Sequence, residues 1–168
     1  RAGVETLTEK GFSAAGLDEI LKKVNVPKGS FYHYFESKEI FGAALIQHYD
    51  NFFAHKLDSF LSDDRLKPID RIKSFIQDAS TGMQRYQYRR GCLVGNLGQE
   101  MGTLPEVYRE LLMSVFSSWQ QKFEVCFEIA RRNGEIAADS DCKNLAFIFW
   151  IGWEGAVLRA KLEQSSTP

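Results

Sequence analysis

Between positions 28 and 38 the chain carries Lys28, Gly29, Ser30, Tyr32, His33, Tyr34 and Lys38, with an ammonium at either end and hydroxyl, phenol and imidazole groups between them. On a short helix, such groups suit a DNA major groove, which is about 12 Å wide and is read by side chains near a helix N-terminus. Lys28 can reach a guanine edge or a phosphate, and Ser30 is a small hydrogen-bonder suited to a base edge. Gly29 keeps the helix surface low, so backbone can approach DNA closely. Tyr32, His33, Tyr34 and Lys38 suit phosphate oxygens at the groove rim, contacts that set register. Phe31 and Phe35, four residues apart, are expected to seat the helix on a core.

Catalytic signatures are missing from the sequence: no GxGxxG follows a strand, and neither GxxxxGK[ST] nor HExxH occurs. His48 and His55 are seven apart, and neither has a Cys or a second His at i+4. Cys126, Glu128 and Cys142 form no base-and-orienter pattern. No cofactor or metal is expected, and no enzymatic activity. The alternative is a helical small-molecule-binding protein or enzyme without DNA binding, its site assembled from distant residues. Cys92 stands apart. It follows Gly91 and the basic pair Arg89-Arg90 at the start of a helix, where positive charge and a helix N-terminus would both stabilise a thiolate. The plainer reading is a small buried hydrophobe.

The chain has 168 residues, 44% hydrophobic and 26% charged, a globular composition. The longest near-unbroken apolar run, Leu145–Trp153, is far short of the roughly 20 residues of a membrane helix. Three cysteines, Cys92, Cys126 and Cys142, make neither a disulfide framework nor a CxxC site, and their number suits a reducing cytoplasm. Net charge is −1, and residues 1–40 hold six basic and six acidic side chains. Any nucleic-acid binding must therefore come from a local patch. Helical spacing at the first residue and a polar Ser-Ser-Thr-Pro end lead us to expect a chain that continues at both ends.

Helical spacing positions these groups. Leu17–Val24 and Lys28–Tyr34 read as two short helices joined by Asn25-Val26-Pro27, a helix-turn-helix arrangement. Ser37 can cap a helix running to about Leu61. Ile69, Ile72, Ile76, Ala79, Met83 and Tyr86 line one face of a helix that starts at Pro68. Leu104, Val107, Leu111, Val115, Trp119, Phe123 and Phe127 line another, closed by Gly134. A last helix runs from about Asp139–Asp141 to Glu163. The fold class expected is all-α.

The string Val26-Pro27-Lys28-Gly29-Ser30-Phe31-Tyr32-His33-Tyr34-Phe35-Glu36-Ser37-Lys38-Glu39, with Gly11-Phe12, Leu17, Ile20 and Val24 before it, closely resembles the DNA-binding domain of the TetR family of bacterial transcriptional regulators. Gly91-Cys92-Leu93 with Asn96-Leu97 resembles its electrophile-responsive subgroup, which contains the repressor of N-ethylmaleimide reductase. The resemblance implies a three-helix DNA-binding domain at residues 1–47 and a helical effector-binding and dimerisation domain at 48–168. It implies a repressor that leaves double-stranded operator DNA when a small molecule or electrophile binds. One departure is Ala15-Gly16, where the family often has Thr. A cap or phosphate contact there must come from Ser13, from backbone N–H groups, or from nothing. Phe75, Met83, Tyr86, Cys92, Asn96, Phe116, Trp119, Phe123 and Trp153 are the expected effector-binding residues, with Gln99 as a further polar group. Leu145–Trp153, apolar all round, should bury one face in the core and the other in a homodimer, with Gly152 and Gly155 allowing close approach.

Overall fold

The computed structural model describes residues 2–168, which form helices α1 (Ala2–Lys10), α2 (Leu17–Lys23), α3 (Lys28–Tyr34), α4 (Lys38–Leu61), α5 (Pro68–Arg85), α6 (Leu93–Gln99), α7 (Glu106–Arg132) and α8 (Cys142–Glu163). No strand occurs among the described residues. Local chemistry sets the ends. Ser37 Oγ accepts from Ile40 N at 3.2 Å and starts α4, Pro68 opens α5, and Asp141 Oδ1 accepts from Asn144 N at 3.0 Å and starts α8. Gly134, at φ +73°, ends α7. The α7 helix begins at Glu106, two residues later than the apolar spacing suggests, because Pro105 occupies its cap position.

The long helices α4, α5, α7 and α8 pack around an aromatic column. Trp119 lies 4.5 Å from Phe53 and 5.1 Å from Trp150, centroid to centroid, and Phe123 stacks on Phe149 at 4.2 Å. The indole N–H of Trp119 donates to Asp50 Oδ1 at 2.9 Å, so this large ring is buried with its one polar atom satisfied. Phe31 seats α3 on Phe35 and Phe41. Helix α1 rests on α2, α4 and α6, and α3 on α2.

Helix α8 is apolar all round from Leu145 to Trp153, but its faces differ. Ala146 and Trp150 are buried, whereas Phe147, Ile148 and Ile151 are at least half exposed and Leu162 is 75% exposed. A close approach joins α4 to α7. Tyr108 Oη donates to Glu39 O at 2.7 Å, and a Cβ on Gly42 would lie 2.0 Å from that oxygen and 2.6 Å from Phe12 Cε2.

Overpacking of this kind costs about 1–3 kcal/mol, so Gly42→Ala should lower unfolding free energy by that amount in urea titrations. Gly82→Ala, within α5 and with nothing inside 4 Å of the added carbon, should instead raise it by about 0.5–1 kcal/mol. Equal effects would mean that the α4–α7 approach is not tight.

Candidate nucleic-acid interface and effector cavity

Helix α3 is held to the protein by one face. Phe31 is buried, whereas Lys28, Gly29, Ser30, Tyr32, His33 and Tyr34 are all exposed, Tyr34 to 79%. A methyl group on Gly29 would touch nothing within 4 Å. Glycine inside a helix costs up to about 1 kcal/mol relative to alanine, and here no neighbour in the chain requires it. The imidazole of His33 meets the ring of Tyr34 edge-on at 5.2 Å. The ammonium of Lys28 pairs with Asp18 at 3.0 Å on the open surface, which favours its charged form. Lys38 behaves differently from the rest. Its Nζ donates to Phe12 O at 2.9 Å and sits 4.4 Å over the Phe12 ring, so it braces the turn between α1 and α2.

Helix α2 begins after Gly16 with no side-chain cap. Ser13 cannot substitute, because its N–H donates to Glu100 Oε2 at 2.8 Å and its hydroxyl lies 3.2 Å from Thr103 Oγ1.

A cavity of about 250 Å³ opens between α1, α4, α5, α8 and the segment before α6. Of the expected effector residues, Met83, Tyr86, Cys92 and Trp153 line it, together with Tyr49, Phe52, Phe53 and Val157. The others lie elsewhere. Phe75 is wholly buried behind the wall, 4.8 Å from Trp153, while Trp119 and Phe123 belong to the central column and Phe116 packs against Trp119. Spacing put Trp119 and Phe123 on the inward stripe of α7 but did not include Phe75 or Phe116, could not separate lining from core, and counted as inward Ile76, Tyr86 and Val107, which are exposed. The Asn96 side chain donates to Thr8 O at 3.0 Å, and Gln99 donates to Gly95 O at 3.3 Å. Charges at the cavity are already paired: Lys56 with Asp78 at 2.5 Å, and Arg90 with Glu9 at 2.8 Å and Glu5 at 3.8 Å.

The expected activation of Cys92 is corrected by this geometry. Arg90 turns away to its two glutamates and lies over the Tyr86 ring. Cys92 does cap α6, accepting from Gly95 N at 3.5 Å, but it is buried, and the Glu154 carboxyl lies beside it. Burial, and then the negative charge of Glu154, push the thiol well above its usual range, so the resting group is a protonated thiol.

Sequence reasoning missed Glu154, Tyr49 and Glu100. Glu154 could have been noticed, because an acid sits between Trp153 and Gly155 in an otherwise apolar stretch. Its Oε1 is buried without a hydrogen-bond partner, and Gly95 leaves the room it needs, since a Cβ there would lie 1.7 Å from Glu154 Oε2. Burial pushes this carboxyl up to about 7.

The unfolded carboxyl releases its proton near pH 4.5, whereas the folded one holds it to about 7. Stability carried by the protonated form is therefore complete below 4.5 and lost as pH rises to 7, a loss of roughly 3 kcal/mol. Urea titrations at pH 5 and pH 8 should show it, and Glu154→Gln should remove that component of the pH dependence. An unchanged slope in the variant would mean that Glu154 is ionised and solvated.

Residues 1–45 match the family described as "Bacterial regulatory proteins, tetR family", and residues 68–168 match "Tetracyclin repressor-like, C-terminal domain". The chain is 55% identical over 168 residues to the transcriptional regulator AcuR of Cereibacter sphaeroides, covering 100% of this chain and 77% of that protein. It is 30% identical over 166 residues to the HTH-type transcriptional repressor NemR of Escherichia coli K12, covering 99% and 83%. Its structure matches that of a regulatory protein TetR from Rhodobacter sphaeroides with a TM-score of 0.96 at 55% identity, over 98% of this chain and 87% of that one. Reduced E. coli NemR matches with a TM-score of 0.86 at 30% identity, over 99% and 86%. No helix among the described residues is long and apolar enough to cross a membrane. With its helix-turn-helix open to one side and its helical body behind, the chain belongs to the TetR family of DNA-binding transcriptional regulators, and it is a regulator of transcription rather than an enzyme.

Proposed function

We propose that this regulator is a cytoplasmic repressor that binds operator DNA as a homodimer and leaves it when a small molecule enters the cavity beside Cys92. Residues 1–47 serve as the reading head and residues 48–168 as the effector-binding and dimerisation body. The observation that carries the DNA reading is the one-sided seating of α3. Its inner face is anchored by Phe31, and the polar side chains from Lys28 to Tyr34 all stand on the exposed side, Lys28 in an open-surface pair with Asp18. Ser30 and Lys28 address base edges, with Gly29 admitting close approach. Tyr32, His33 and Tyr34 address phosphates. Lys38 holds the turn behind them.

The dimer reading rests on α8. Phe147, Ile148, Ile151, Leu158 and Leu162 form an exposed apolar stripe along its length, with Gly152 and Gly155 on the same open side. A two-fold pairing of such stripes would present two α3 helices about 34 Å apart, one turn of DNA. The cavity favours a small, largely apolar effector. Its rim charges are neutralised and its wall is aromatic, and the resting thiol of Cys92 is protonated. Such an effector acts only through its differential affinity for the DNA-bound and released arrangements.

Fluorescence anisotropy on an operator duplex selected from a random library tests the DNA reading. Gly29→Leu should leave unfolding free energy unchanged or raised while weakening operator binding by about tenfold or more. Undiminished binding would mean that α3 does not enter the groove. In sedimentation, the parent chain should run as a dimer at micromolar concentration, and Ile151→Asp as a monomer. A monomeric parent overturns the dimer.

A further inference from the structure

Helix α6 spans the distance between the cavity and the reading head. Its cap residue, Cys92, is part of the cavity wall. One turn further on, Asn96 Nδ2 donates to Thr8 O at 3.0 Å, taking up a carbonyl in the last turn of α1 that the helix itself leaves unpaired. At its far end stands Glu100. One carboxylate oxygen accepts from Phe12 N at 2.9 Å and the other from Ser13 N at 2.8 Å, so two consecutive amides of the α1–α2 turn converge on one negative charge. The turn is shaped for this grip. Gly11 has φ +81°, and a Cβ there would lie 2.1 Å from Glu100 Oε1, so both the backbone conformation and the space demand glycine. From the opposite side, Lys38 holds the carbonyl of Phe12 and covers its ring. Phe12 is thus fixed at its N–H, its carbonyl and its side chain by two elements outside the turn.

We infer that Glu100 is a positioning residue for operator binding: its carboxylate clamps the α1–α2 turn to the end of α6, so α6 sets the orientation in which the reading head meets DNA. The clamp differs from ordinary packing between helices. It acts on two backbone amides through one rigid group, and it requires a carboxylate with two accepting oxygens. Glutamine has one accepting oxygen and an amide that would face an N–H donor with its own hydrogens. Alanine at the position reaches neither amide. A displacement of α6 at its Cys92 end is passed to the turn by Asn96 and Glu100, which grip adjacent parts of the same chain segment. This last step rests on the reading of the cavity as the effector site; the clamp itself does not.

The first test uses the full chain and needs no effector. In Glu100→Gln, exchange of the Phe12 and Ser13 amides, followed by NMR, should speed up by about tenfold or more. Affinity for the selected operator duplex should fall by a similar factor, with the helical content of the chain retained. Glu100→Asp, which keeps both oxygens but is shorter, should fall between the two. Unchanged amide exchange, or operator affinity unchanged within a factor of about two, overturns the inference. If Glu100→Gln does not fold, Thr103→Ala and Gly11→Ala disturb the same turn from either side, and Gly11→Ala must then reduce operator affinity more than Thr103→Ala does.

A second experiment reads the coupling. Met83→Trp fills the cavity and stands in for an effector. It should weaken operator binding in the parent chain, and weaken it less in Glu100→Gln, because the path from α6 to the turn is already broken. Equal weakening in both backgrounds overturns α6 as the carrier. No weakening in the parent chain overturns the reading of the cavity, while the clamp stands or falls on the amide exchange and operator affinity of Glu100→Gln alone.

Discussion

Trp119 must be enclosed on every side and still satisfy its indole N–H, and four long helices arrange themselves around that requirement. Its ring is covered by Tyr49 and Phe53 from α4, by Phe116 from its own helix and by Trp150 from α8. Its N–H needs an acceptor in an otherwise apolar place, and Asp50 supplies one from α4. The aromatic cover and the polar partner thus both come from the middle of α4. Because the same helix begins beside the helix-turn-helix, where Tyr108 Oη leaves no room for a Cβ at Gly42 and donates to Glu39 O, the core settles where α2 and α3 stand relative to the body. Side chains packed at interior density do not deform gradually, so such a beam has discrete resting positions rather than a continuum.

Charge is distributed with comparable economy. The side chains that could make the cavity strongly polar are matched across helices, Lys56 to Asp78 and Arg90 to Glu5 and Glu9. Glu154 is the exception, and it is accommodated by retaining its proton to about pH 7 instead of by finding a cation. The same economy explains how residues 1–40, with balanced charge, can face a polyanion. Lys28 keeps only an exposed pair with Asp18, and Tyr32 and Tyr34 stand exposed on the same helix. Display on one helix face matters more here than the count.

Much of this protein was legible from its sequence. The all-α class, the starts of α4, α5 and α8 at Ser37, Pro68 and Asp141, and the end of α7 at Gly134 follow from caps, proline and glycine acting within a turn or two of themselves. The exposed motif on α3 was equally readable, because seven consecutive positions decide both which ring faces inward and which polar groups do not. Those determinations are local, and local rules decided them. What only the tertiary structure decided lies between residues far apart in the chain. Periodicity put Trp119, Phe123 and Met83 on inward stripes alike, yet only the approach of α4, α5 and α8 separates the buried column from the cavity wall. Arg89-Arg90 beside Cys92 suggested an activated thiol, until folding turned Arg90 toward Glu5 and Glu9 and brought Glu154, sixty-two positions away in the chain, against the sulfur. Glu100 carried no signal at all, since its meaning depends on two amides eighty-seven and eighty-eight residues earlier. The physical reason is the same in each case: a cap or a turn is settled by neighbours along the chain, whereas the charge state of a buried group and the partner of a carboxylate are settled by whichever distant atoms the packing brings into its small, poorly solvated surroundings.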